Sequence, residues 1–395
     1  MPSHTPAHAP SRILNLGILA HVDAGKTSLT ERLLHAAGVV DELGSVDAGS
    51  TLTDSLALER RRGITIKSAV VSFALDDTTV NVIDTPGHPD FIAEVERVLS
   101  VLDGAVLVVS AVEGVQPQTR VLMRTLRRLA IPTLVFVNKV DRHGADGERV
   151  LADIARRLTP SVVAMGTVHD VGTRAARAVP FADDDPAFTA RLAEVVAEHD
   201  DAVLAAYVED DADALAPGEL RAALAAQTRR AEAHPVLFGS AITGTGLTAL
   251  TRAIRDLLPA ASGAADGPVA GAVFKVERGG AGEKVAYARM FSGTLRVRDR
   301  VPLGDQGGDA KVTAVSVFAQ GTDTRRDAVA AGQIARLWGL DGVRIGDVLG
   351  DARAVPDRRA GHFAPPPWRR WSCPGAPETG APCTPRSPSS PSRTR

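Results

Sequence analysis

The chain has 395 residues, 44% hydrophobic and 23% charged, which is enough for two or three domains with their own cores and unlike an intrinsically disordered composition. A formal net charge of −2 argues against charge-driven binding of the whole chain to nucleic acid, and no apolar run reaches the ~18 residues that a membrane-spanning helix needs. The first twelve residues are polar, so a cytoplasmic location without membrane association is expected, and the only two cysteines, Cys373 and Cys383, leave no disulfide or thiolate metal site before them.

From Ile13 to about Leu258, short runs rich in Val, Ile and Leu alternate with helical stretches. The runs Ile13–Ala20, Ala69–Leu75, Val80–Asp84, Ala105–Ser110, Thr133–Asn138 and Val236–Ser240 show little alternation, as strands buried on both faces do. Helical patterns fall at Thr27–Ala37, Phe91–Val101, Gln118–Ala130 and Leu247–Leu257. This order predicts an α/β fold class: a doubly wound P-loop domain on a mostly parallel sheet, spanning 11–258. Ala69–Leu75 and Val80–Asp84, joined by Asp-Asp-Thr-Thr, are expected to form an antiparallel hairpin at one edge. The stretch from about 160 to 235 breaks the rhythm with acidic clusters around a helical piece, Phe188–Glu198, and reads as an insertion before the last strand.

Residues 259–268, rich in Pro, Ala and Gly, read as a linker. After it come short strands with glycine turns at Gly271–Val276, Lys284–Phe291, Arg300–Leu303, Lys311–Phe318 and Gln333–Trp338, which predict a small β-barrel over 269–352. Residues 353–395 are expected to be a disordered tail. Nine of the 25 prolines fall between Pro365 and Pro391, and such a segment cannot bury enough apolar surface to offset its ordering entropy.

Four motifs carry chemistry. Ala20, His21, Val22, Asp23, Ala24, Gly25, Lys26 and Thr27 follow an apolar strand and open a helix, which is the pattern of a phosphate loop with Ala20 at the usual first glycine. Its backbone N–H groups and the helix N-terminus form a nest for phosphate oxygens. Lys26 supplies a charge to the β- and γ-phosphates, and the Thr27 hydroxyl is a ligand for Mg2+. Asp84, Thr85, Pro86, Gly87 and His88 follow the third strand: Asp84 would hold Mg2+ through water, Gly87 would sense the γ-phosphate, and His88 stands where a residue orienting the attacking water belongs.

Asn138, Lys139, Val140 and Asp141 end another strand. The Asp141 carboxylate can accept from N1–H and the exocyclic amine of guanine, whereas adenine would leave it unpaired; such bonds reject the wrong base by factors on the order of 10⁴. Gly239, Ser240 and Ala241 end the last strand and are expected to offer a backbone N–H to guanine O6. Arg62–Ile66 place Thr65 where it can reach Mg2+ and the γ-phosphate only while the triphosphate is intact, an order–disorder switch. GTP, GDP and Mg2+ are the expected ligands, and GTP hydrolysis the expected activity, with Lys26, Thr65 and His88 in catalytic roles.

These motifs resemble those of the translational GTPases, and residues 13 to about 350 resemble the nucleotide domain and second domain of elongation factor G relatives. Within that group, Glu42–Asp47, Leu58–Ile66 and Val115–Arg120 look more like the tetracycline-resistance ribosomal protection proteins than the translocase. The resemblance implies a monomer that binds the ribosome, dislodges tetracycline and hydrolyses GTP to leave. It implies contact with large-subunit RNA near the GTPase centre, which would position His88, and with the small subunit through the second domain. An elongation-factor-like translocase, or a GTP-binding product that protects nothing, are the alternatives.

The family continues with three further domains, where this chain carries the Pro/Ser/Arg tail. Pro367–Pro374 can be encoded as CCC TGG AGA CGG TGG TCG TGC CCG. Read from the third base, that string gives Leu-Glu-Thr-Val-Val-Val-Pro, which resembles the family's entry into its third domain. The expectation is a frameshift near Pro365–Pro367 with out-of-frame translation beyond it; a genuine Pro-rich linker is the competing reading.

Overall fold

Strand β1 (Arg12–Ala20) is buried along almost its whole length, and the chain turns from it directly into helix α1 (Lys26–Ala36). These belong to a computed structural model that describes residues 12–41, 69–85, 92–209, 216–261, 263–304, 308–319 and 321–356. The Arg62–Ile66 segment with Thr65, the Glu42–Asp47 and Leu58–Ile66 segments, Pro86, Gly87, His88 and the tail from 357 onward lie outside the described residues.

The first half continues with β2 (Ala69–Leu75), β3 (Thr78–Asp84), α2 (Ile92–Leu99), β4 (Gly104–Ser110), α3 (Pro117–Arg128), β5 (Thr133–Asn138) and α4 (Gly147–Arg157). Then follow β6 (Val162–Ala164), β7 (Gly166–His169), β8 (Arg177–Pro180), α5 (Pro186–Ala197), α6 (Asp201–Val208), α7 (Pro217–Arg229), β9 (His234–Phe238) and α8 (Leu247–Leu257). Seven strands form one sheet in the order β2-β3-β1-β4-β5-β9-β6, parallel throughout except for the β2–β3 edge. The α/β class read from the sequence is this fold. Every residue of β4 and β5 is buried, because helices cover both faces of a parallel sheet. Pro117 opens α3, where its missing N–H goes unneeded, and Asp146 caps α4 by accepting from Arg149 N at 2.9 Å.

Two local differences from the sequence reading have simple causes. The β2–β3 connection is two residues, Asp76–Asp77, with Leu75 opposite Thr78, not the four-residue turn expected. Asp76 takes a left-handed φ of 51°, which a short polar side chain tolerates, so the strands pair right up to the turn. The segment 160–235 begins inside the main sheet, since β6 pairs in parallel with β9. Its β7–β8 hairpin and helices α5 to α7 then lie outside the sheet, with a small core of their own built on Val163, Phe188, Leu192, Val196, Leu220 and Leu224.

The second half holds β10 (Ala270–Arg278), β11 (Lys284–Ser292), β12 (Thr294–Arg296), β13 (Arg300–Leu303), β14 (Gly308–Lys311), β15 (Ala314–Ala319), β16 (Thr322–Arg326), β17 (Ala328–Ala330), β18 (Ile334–Trp338) and β19 (Val348–Gly350). Eight of these make an antiparallel sheet, β14-β13-β19-β10-β11-β18-β15-β16, and β12 pairs with β17. They wrap a separate core that includes Val273, Ala288, Met290, Val315, Ala335, Leu337 and Leu349. The run expected as one strand over Lys311–Phe318 is two, β14 and β15, because the chain leaves the ladder at Val312, whose side chain is wholly buried.

The described residues of both halves fall within one compact unit, and polar groups tie them together. Asn15 Nδ2 donates to the Gly332 carbonyl at 3.0 Å, Arg289 Nη1 to the Val101 carbonyl at 2.6 Å, and Arg289 Nη2 pairs with Asp103.

Candidate nucleotide site

All parallel strands of the sheet point the same way, so their C-terminal ends bring the loops after β1, β3, β5 and β9 to one edge. That is where an open α/β sheet holds a ligand. The loop after β1 runs from Ala20, which is buried, through half-buried Val22 and exposed Asp23 to Gly25. Asp23 and Gly25 both adopt left-handed conformations, φ 62° and 91°. They turn the chain tightly enough for α1 to start at Lys26. A Cβ at Gly25 would collide with Asn138 Nδ2, so both the backbone angle and the close approach call for glycine there.

Lys26 is 6% exposed and its ammonium pairs with the Asp84 carboxylate, itself 1% exposed. Thr27 follows in the first turn of α1, and Thr85 is fixed by donating its hydroxyl to the Ile18 carbonyl at 3.0 Å. The phosphate loop and the end of β3 are thereby held together.

Asn138 spans two loops. Its Nδ2 donates to the Ala24 carbonyl at 2.8 Å, and its Oδ1 accepts from the Ala241 N–H at 2.9 Å. Ser240 Oγ accepts from the N–H groups of Ile242 and Thr243, each at 3.2 Å, which fixes the turn after β9. Val140 N donates to the Gly239 carbonyl at 3.3 Å, and Lys139 takes a left-handed φ of 68° that turns the chain toward Asp141. One oxygen of Asp141, Oδ1, is buried and has no hydrogen-bond partner among the described residues. Such an oxygen has the capacity to accept a further hydrogen bond.

Of the residues singled out from sequence, those in the described regions converge on this edge; Thr65, Pro86, Gly87 and His88 are outside them. The N–H groups of Gly239, Ser240 and Ala241, one of which is expected at guanine O6, donate here to the Val137 carbonyl, the Thr245 carbonyl and Asn138 Oδ1.

Three residues that sequence reasoning missed support the loops. Arg32, nearly two turns into α1, donates Nε to the Ala241 carbonyl at 2.8 Å and reaches the Ile242 carbonyl as well, and burial lowers its pKa from the usual range. Thr119 on α3 meets His21 Nδ1 at 3.2 Å; burial lowers the His21 pKa, although Glu113 and Asp23 pull it the other way. Glu113 holds Lys139 Nζ at 3.3 Å. Arg32 shares a helix with Lys26, but nothing in the linear sequence signals its long-range partner 209 residues away.

The donor set suits Mg2+. Thr27 and Asp84 offer a hydroxyl and a carboxylate, both hard oxygens, and no described group of three or more His, Cys, Asp or Glu side chains could hold a metal alone. Mg2+ is bound in that manner, through one or two protein oxygens with phosphate and water filling its octahedron.

A left-handed glycine before a helix N-terminus, a lysine on an aspartate at a strand end, and a carboxylate beside a clamped strand-end loop define a P-loop nucleotide-binding protein. The model of the elongation factor Tu GTP binding domain matches residues 11–260, and that of elongation factor Tu domain 2 matches residues 283–350. The chain belongs to the elongation factor Tu GTP-binding domain family.

It is 58% identical to the oxytetracycline resistance protein of Streptomyces rimosus over 361 residues, which covers 89% of this chain and 54% of that protein. It is 50% identical to the tetracycline resistance protein TetM of Streptomyces lividans over 367 residues, covering 90% of this chain and 55% of that one. A crystal structure of a protein from Thermus thermophilus superposes with a TM-score of 0.74 at 25% identity, over 90% of this chain and 56% of the other. The chain thus spans about half the length of the curated relatives it matches. No helix among the described residues is long and apolar enough to cross a membrane.

Proposed function

We propose that this chain binds GTP and hydrolyses it to GDP and phosphate as a ribosome-dependent GTPase of the tetracycline-protection type. The observation that carries the nucleotide reading is the base-reading edge: Asn138 bridges Ala24 and Ala241, and the adjacent Asp141 holds a buried oxygen without a protein donor among the described residues. The tetracycline reading is supported by the high identity to proteins named for resistance to that drug.

In this reading guanine N1–H and its exocyclic amine donate to Asp141, and guanine O6 takes over the Ala241 N–H from Asn138. The phosphate-loop N–H groups and Lys26 hold the β- and γ-phosphates, Lys26 exchanging its Asp84 partner for phosphate oxygens. Thr27, Asp84 and Thr65 would hold Mg2+, which supplies charge neutralisation on the transferring group. His88 orients a water whose oxygen attacks the γ-phosphorus as the bond to the GDP oxygen breaks, and the water's proton leaves with phosphate. Large-subunit RNA would set His88 in place, the small subunit would meet the second half of the chain, and the protein would act as a cytoplasmic monomer.

The test has two arms. Purified chain with ribosomes should turn over GTP faster than alone, and His88→Ala should remove the stimulation while leaving GDP binding intact; equal stimulation in the variant removes His88 from the mechanism. Growth in tetracycline of cells expressing the chain reads the second claim. Unchanged sensitivity with intact GTP binding leaves a GTP-binding protein and rejects protection.

A further inference from the structure

We propose that the outer face of α3 is a docking site for an acidic protein segment. Most of this surface lies away from the nucleotide edge, where Arg124, Arg127 and Arg128 share a cleft with Leu158 and Ser161 just before β6, while Arg120 follows Thr119 at the phosphate-loop end of the helix. Arg120, Arg124, Arg127 and Arg128 stand on one face of the helix, at spacings of three and four residues that place side chains side by side. The opposite face, including Leu122, Met123 and Leu126, is buried against the domain. Arg157 from the end of α4 adds a fifth guanidinium to the same cleft of about 600 Å3.

A row of cations is usually a solvated face laced with acids, and α4 is built that way. Asp153 pairs with Arg156 at 2.7 Å and with Arg157 at 3.6 Å, and Asp146 with Arg149 at 3.9 Å. Helix α3 contains no acidic residue at all. Arg127 and Arg128 gain from the helix dipole in the last turn, but Arg120 lies near the other end, where the dipole opposes a cation. Like charges four residues apart also destabilise a helix. The side chains of Arg120 and Arg124 are exposed and make no hydrogen bond or ion pair among the described residues. Stability alone does not account for them.

The far wall of the cleft decides the partner. Glu198, which accepts from Ser161 at 2.8 Å, and Glu232, which pairs with Arg230 at 2.7 Å, face into it. Two carboxylates there oppose a polyphosphate backbone, which carries no cation to set against them. A protein segment whose carboxylates recur every three or four residues fits the arginine wall by bidentate pairing and can set a cation of its own against the glutamates.

Binding of a fluorescein-labelled octaglutamate peptide to the full chain, read by anisotropy at low salt, tests this, with an octauridylate of similar charge as competitor. The peptide should bind, weaken as salt rises, and lose roughly tenfold or more in affinity with R120E/R124E. R120K/R124K should retain most of the binding, and GDP affinity should be unchanged in both variants, which shows that they are folded. If R120E/R124E loses GDP binding, the single R124Q variant is read instead and should weaken the peptide severalfold. Absence of peptide binding, equal binding by R120E/R124E, or displacement of the peptide by octauridylate at lower concentration would each overturn the proposal, the last in favour of an RNA surface.

Discussion

Arg289 on β11 and Asp103 just before β4 form a buried ion pair between the two halves of the molecule, with side chains only 4% and 9% exposed. Asp103 also accepts from the N–H and Nδ2 of Asn15 at 2.9 and 2.8 Å, and the Arg289 guanidinium lies 4.5 Å from the Phe291 ring centre. Asn15 sits on β1, the strand that delivers the phosphate loop, so the pair links the second half to the element behind the site. Arg289→Met leaves Asp103 charged and buried with fewer donors, and the expected loss is about 3–5 kcal/mol of stability, measured by urea unfolding. The double variant R289M/D103N should recover part of it. A loss under about 1 kcal/mol in the single variant would mean that solvent reaches the pair.

Asn138 is predicted to matter more for nucleotide retention than for folding. Replacing it with Ala removes the bonds to Ala24 and Ala241 and lets the phosphate loop and the base loop move apart. GDP dissociation, followed by stopped flow with a fluorescent analogue, should accelerate by about fivefold, corresponding to the Ala24 bond of ~1 kcal/mol that persists once guanine takes the Ala241 N–H. Gly25→Ala should give a similar acceleration for a different reason, since it strains a left-handed backbone and presses on the same Asn138 amide. If either variant releases GDP at the wild-type rate, the two loops are not held by this contact.

What was legible in the sequence follows the range of the forces involved. β2, β5 and α8 lie at the residues their patterns indicated, because contiguous apolar runs or a 3.6-residue period carry their own burial information. The phosphate loop was legible because its chemistry is compressed into eight adjacent residues. β6 was not, since three residues hold no period and its place in the sheet comes from pairing with His234–Val236. Arg32, Thr119 and the Arg289–Asp103 pair were invisible for the same reason: each acts on a partner 98 to 209 residues distant. The four arginines of α3 were plain in the sequence. That Arg120 and Arg124 stand apart from any described acid emerges only when the arginines of neighbouring α4 are seen to pair with acids of their own helix.

His234 sets an acid limit on stability. It is 1% exposed, its Nδ1 lies 3.3 Å from the Thr133 carbonyl, and burial lowers its pKa to about 4 from 6.5. Below pH 6.5 the unfolded chain takes up a proton at this site while the folded protein does not until about pH 4. The unfolded state binds more protons in that window, so stability falls as pH drops from 6.5 to 4, by an amount on the order of 3 kcal/mol in full. His234→Asn keeps a donor for Thr133 and cannot titrate. Its unfolding free energy should vary less with pH across this window than that of the wild type, and parallel curves would show that other groups carry the acid sensitivity.

Asp141→Asn tests base selection most directly. The exchange turns one acceptor oxygen into an amide donor beside a loop whose other contacts are unchanged, so guanine's N1–H and amine would meet a donor. GTP affinity should fall by a factor on the order of 10³, because a mismatched buried donor is left unsatisfied on both sides. Xanthine carries an oxygen where guanine carries its amine and should recover the bond, so xanthosine triphosphate should bind the variant better than GTP does. Titration of both nucleotides by calorimetry reads the exchange in preference as well as the loss. A variant that bound both weakly would point to collapse of the loop, which the Asn138 variant then serves to calibrate. Unchanged GTP affinity would remove Asp141 from the base-reading edge altogether.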